Sequence, residues 1–96
     1  MLHKLKTWPE QFRAVLNGQK RHEWRKDDRA FQVGDELGLC EWDPATGRYT
    51  GSFWTYRVTW ITRGPDFGIP EGYCVMSIAE IYSGDSDAPT ENRSEK

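Results

Sequence analysis

The sequence predicts a mainly β domain of the α+β kind, a small antiparallel β-barrel, closed or nearly so, with one short N-terminal helix. Three observations lead there. Apolar residues alternate with period two over most of the chain, as they do in strands with one buried face. Helical spacing occurs once, between Pro9 and Leu16. A chain of 96 residues supports a single small core, so five or six short strands must curl to shelter their edges.

Leu2 and Leu5, set among His3, Lys4 and Lys6, form a first strand that stops at Thr7-Trp8-Pro9. Pro9 suits the first position of a helix and Glu10 its first turn. Phe12, Val15 and Leu16 then recur on one buried face until Asn17-Gly18 ends it. From Lys20 the period is two: His22 and Trp24 share one side, Arg21, Glu23 and Arg25 the other. Lys26 to Arg29 is a polar loop, and Phe31 and Val33 lead into the Gly34-Asp35 turn.

Leu37 and Leu39 alternate with Gly38 and Cys40 in a third strand that runs to Trp42. Asp43-Pro44-Ala45-Thr46-Gly47 is a hairpin turn signal. Tyr49 through Ile61 is the clearest strand pattern, with Gly51 as a bulge that bends it. The loop from Arg63 to Gly72 precedes a last strand, Tyr73 to Ile81, with Cys74, Met76 and Ile78 on one side. The domain is expected over residues 1–82 and a disordered acidic tail over 83–96.

Net charge is −2. The tail holds Asp85, Asp87, Glu91 and Glu95 against Arg93 and Lys96, which accounts for the whole excess. A neutral domain argues against non-specific coating of duplex nucleic acid, which draws on many uncompensated cations. Cys40 and Cys74 lie far apart in separate strands, so they read as buried thiols and not as a disulfide framework. His3 lacks a second ligand at metal spacing, so no metal site and no cofactor are expected. No apolar run reaches the roughly 20 residues of a membrane span, and there is no signal-peptide core, so a cytoplasmic domain without membrane contact is expected; the sequence leaves the oligomeric state open, with a monomer slightly favoured.

The segment from Gly18 to Asp35 carries the chemistry. Lys20, Arg21, Glu23, Arg25, Arg29 and Glu71 are the candidate ligand-binding residues. Lys20 can donate to a phosphate or a ligand carbonyl, or else be a solvated lysine after a helix. Glu23 can accept from an amino group on a base edge while Arg25 grips a phosphate or stacks on a ring; the alternative is a simple ion pair between them. His22 and Trp24, on the opposite side, are expected to face the core. Asp28 and Arg29 are expected to pair with each other, and Glu71 reaches the cleft or stays a turn carboxylate. Trp42, Phe53, Trp54 and Trp60 are too many for so small a core.

A short helix ending in Leu-Asn-Gly, then Gly18-x-Lys20-x-x-Glu23-x-Arg25 and Gly34-Asp35 opening a strand, resembles the ASCH domains of the PUA-like superfamily. Within that group the chain is similar to a small family of uncharacterised phage and bacterial proteins. The likeness rests on Trp8-Pro9, Asp28-Arg29-x-Phe31, Glu41-Trp42-Asp43 and Pro70-Glu71-Gly72-Tyr73, and it covers residues 3 to about 79. It implies a PUA-like barrel with a cleft beside the helix, a scaffold that in related families binds RNA or modified nucleosides. One branch deacylates acetylated cytidine with a lysine that Lys20 matches and a threonine whose place Glu23 takes.

The expected function is therefore an RNA- or nucleotide-binding module that uses the cleft next to the helix, with RNA or a modified nucleoside as partner. Two alternatives stand beside it. One is a small amidohydrolase acting on a modified nucleoside such as acetylated cytidine, in which Lys20 and Glu23 are catalytic. The other is a phage-encoded protein-interaction domain that uses its aromatic surface.

Overall fold

Alternation along the chain is realised as five strands and the single helical stretch as one helix; the computed structural model describes residues 1–81. In order these are β1 (Leu2–Thr7), α1 (Pro9–Leu16), β2 (His22–Lys26), β3 (Glu36–Asp43), β4 (Arg48–Arg63) and β5 (Tyr73–Glu80). They make one sheet ordered β1-β3-β4-β5-β2. The expected acidic tail lies outside the described residues. Among the described residues no helix is long and apolar enough to cross a membrane.

Three of the four strand pairs are antiparallel, but β1 and β3 run parallel, from Leu2 opposite Glu36 to Thr7 opposite Glu41. This corrects the all-antiparallel expectation. A parallel neighbour needs a long crossover, and α1, β2 and the loop after it supply one. Two bulges bend the sheet. Opposite Glu41, β4 spends Thr50, Gly51 and Ser52, with Gly51 at φ +97°, and a second bulge leaves Thr59 between the Val58–Ile78 and Trp60–Ser77 pairs. The bulge expected at Gly51 is therefore present, and each one adds local twist.

The sheet curls into a half-barrel that brings its two edge strands face to face. No backbone ladder joins β1 to β2. Guanidinium groups span the gap instead: Arg25 Nη2 donates to the Lys6 carbonyl at 3.1 Å and Arg29 Nη1 to the Lys4 carbonyl at 2.9 Å. Arg29 therefore does not pair with Asp28 as expected; a backbone carbonyl on an unpaired edge is the stronger demand.

Inside the curl, Leu37, Leu39, Val58, Cys74 and Met76 meet Phe12 and Val15 of the helix. Phe31, from the loop after β2, closes one end at 1% exposure. Full burial of a side chain of this kind stabilises by roughly 1.5–3 kcal/mol. Two expectations fail at the margins: Leu16 is exposed because the helix stops there, and Cys40 is only half-buried because it shares the outer face with Gly38 and Trp42.

Asp35 pins the loop to β1. Its Oδ2 accepts from His3 Nε2 at 2.9 Å and from the Gln32 amide at 3.0 Å, and the Met1 ammonium lies 3.2 Å from Oδ1. The hydrogen bond from His3 is the main reason its pKa falls below the ordinary 3.8; burial opposes the shift, and the Gln32 amide and the N-terminal amine add to it. The folded state thus keeps this carboxylate charged to lower pH than the unfolded chain does. Its stabilisation is complete above the ordinary value, erodes as pH falls below it, and is gone once pH passes the folded-state pKa. Denaturation curves across the acid range are expected to show that loss, and Asp35→Asn to flatten it while lowering stability at neutral pH by roughly 1–3 kcal/mol.

Candidate functional site

The helix stop makes the site. Gly18 adopts φ +79°, a conformation that costs glycine little, and the amides of Gln19 and Lys20 both donate to the Ala14 carbonyl at 3.0 Å. The chain reverses tightly enough to bring Lys20 back beside the helix. Its Nζ donates to Gln11 Oε1 at 2.8 Å and lies 3.5 Å from Glu23 Oε2.

Glu23 projects from β2 into the recess at 2% exposure. Its Oε1 accepts from Arg25 Nε at 2.9 Å, and Arg25 Nη2 also lies 2.9 Å from that oxygen. Its Oε2 receives no hydrogen bond; the Lys20 ammonium, which donates to Gln11, stands off at 3.5 Å as an ion-pair partner. A buried acceptor without a hydrogen bond costs roughly 1–3 kcal/mol; because this oxygen is shut off from solvent, a ligand N–H recovers that cost only when the flexible Lys20 side chain above it shifts aside. Two cations make the burial of this carboxylate tolerable.

This reverses one expectation. His22 and Trp24 were expected inside, but both are exposed, Trp24 at 48%, while Glu23 is buried and Arg25 half-buried. The recess beside α1 already holds the Lys20 ammonium, so the carboxylate side of β2 turns inward and the rings turn out.

A cleft of about 310 Å³ opens over these groups along the β1–β2 seam, large enough for one planar ring system. Glu23, Lys20, Arg25 and Gln11 supply its polar atoms, Thr7 Oγ1 lies 3.4 Å from Arg25 Nη2, and Lys6 stands at the rim. Trp8 and Trp24 present exposed rings beside it. The cleft can hold a flat, polar molecule with a donor facing Glu23 and its faces against indole.

Of the six candidate residues, Lys20, Glu23 and Arg25 meet in this cleft. Arg21 bonds its own turn at the Gly18 carbonyl, Arg29 holds β1, and Glu71 is exposed in the turn before β5, so none of these three lines it. Gln11, Thr7 and Trp8 went unassigned from sequence. For Trp8 a signal existed: a ring placed just before the Pro that starts a helix has no helical neighbours to cover it.

Fold and site together define a small half-barrel domain with a charged, ring-flanked slot at its seam. Residues 2–78 match a family described as a domain of unknown function, DUF3850, and the chain belongs to that family. It is also similar to the "Uncharacterized 12.9 kDa protein in GpA 3'region" of Escherichia phage P2, at 41% identity over 61 residues. That match covers 64% of this chain and 54% of the phage protein, so the chain spans about half the length of this relative.

Arg25 serves both site and seam, so its removal is expected to be felt in the fold. Arg25→Ala leaves the Glu23 carboxylate and the Lys6 carbonyl short of a donor and should cost about 2–3 kcal/mol in urea denaturation. Arg25→Lys, with a point charge in place of the fork, should restore only part of that.

Proposed function

We propose that this domain is an ASCH-like, PUA-like module that binds single-stranded RNA, or a nucleotide within it, in the seam cleft. The observation that carries the reading is a buried Glu23 whose Oε2 has no hydrogen bond, flanked by two cations and two exposed indoles. An amino group on a base edge supplies the N–H that this oxygen lacks, and Lys20 can donate to a neighbouring carbonyl of the same base. Trp8 and Trp24 offer stacking surfaces, which serve any base. Arg25 orders Glu23 and does not need to grip phosphate, since its donors already have protein acceptors.

Recognition of this kind relies on shape, stacking and a few directed bonds, in keeping with a domain whose charges balance. A second reading, hydrolysis of an acylated base, is favoured by the same pair of groups. Glu23 would activate a water and Lys20 would polarise the amide carbonyl.

Lys20→Ala and Trp24→Ala test both readings. Each is expected to weaken binding of a short single-stranded RNA by about tenfold or more; Trp24→Ala, an exposed ring, leaves the thermal midpoint nearly unchanged, whereas Lys20→Ala lowers it because buried Glu23 loses one of its two cations. Equal affinity in both variants contradicts the binding role. Acetate release from acetylated cytidine by the wild type, lost in Glu23→Gln, would favour the hydrolase instead.

A further inference from the structure

On the outer face of the half-barrel, away from the core, β1, β3 and the first half of β4 form a second groove of about 400 Å³. Lys4, Lys6, Cys40, Tyr49 and Phe53 line it, so it holds two ammonium groups and no carboxylate. Neither lysine makes an ion pair among the described residues.

Phe53 is seated closely on the sheet. A Cβ at position 38 would fall 2.7 Å from Phe53, so the absence of a side chain at Gly38 lets that ring rest on the strand with its other face in solvent. Tyr49 stands beside it at 58% exposure. Lys6 connects this groove to the cleft, because it lines both. Its Nζ sits 4.3 Å from the centre of the Trp42 ring, and Trp42 lies 6.3 Å from Trp8, which borders the cleft.

We infer that the groove continues the cleft as one track for single-stranded RNA, with one base in the seam and following bases on Phe53 and Tyr49. Lys4 and Lys6 face the backbone phosphates. The inference rests on the proposed base-binding role of the cleft. Two ammonium groups without a carboxylate partner beside exposed rings fit a strand that carries both phosphates and bases, and they fit poorly an apolar protein face, which would leave both charges without a counter-ion.

The test compares a mononucleotide, which the cleft alone can hold, with a single-stranded RNA of about ten nucleotides, which reaches the groove. Tyr49→Ala is expected to weaken the longer RNA by about tenfold and leave the mononucleotide unchanged. Lys4→Ala is expected to lower the slope of log affinity against log salt by about 0.7 for the longer RNA only. If neither variant alters binding of the longer RNA while Lys20→Ala still weakens the mononucleotide, the track is wrong and the cleft reading stands. If Lys20→Ala and Trp24→Ala leave the mononucleotide unaffected, the cleft reading falls and the continuous track falls with it.

Discussion

Everything about this domain turns on how its sheet is closed. The two edge strands are brought face to face, but no backbone ladder joins them; the guanidinium of Arg25 reaches across and holds Glu23 at the same time. Backbone pairing would have drawn the strands to about 4.8 Å apart and filled the space between them. Closure through a side chain leaves a slot. The candidate site is therefore the seam itself, and the residue that keeps the barrel shut also sets the orientation of the carboxylate inside it.

That economy explains the charge pattern of the cleft. A glutamate at 2% exposure would be costly beside apolar neighbours, and here it is matched by two cations that each have another task, Arg25 at the seam and Lys20 at Gln11. Neither satisfies Oε2 with a hydrogen bond. The result is an acceptor that is electrostatically supported, shut off from solvent and without a hydrogen bond, a condition that favours any N–H donor brought within its reach. The proposed base-binding role follows from that condition more than from net charge.

Much of the fold is legible in the sequence. Pro9 and Asn17-Gly18 bracket the helix within a residue, and the faces Leu37/Leu39 and Cys74/Met76/Ile78 are buried as their alternation requires. Gly51 marks its bulge. The parallel pairing of β1 with β3 was not legible, because pairing partners depend on where the crossover delivers the chain and not on either strand's own pattern. The inward face of β2 was misread for a related reason: both of its sides carry large polar or aromatic groups, so alternation alone does not choose between them. The sequence did place Lys20, Glu23 and Arg25 together, but the roles of Arg25 and Arg29 at the seam stayed hidden. Their acceptors are backbone carbonyls, which every residue carries.

The five tryptophans offer the most direct measurement, since each indole N–H gives its own resonance and the rings sit in different parts of the surface. Titrating the ¹⁵N-labelled protein with single-stranded RNA should shift the indole signals of Trp8 and Trp24 at the cleft, with Trp42 following, while Trp54 and Trp60 stay in place. Movement of Trp54 and Trp60 alone, or no movement at saturating RNA, would contradict a binding site at the seam.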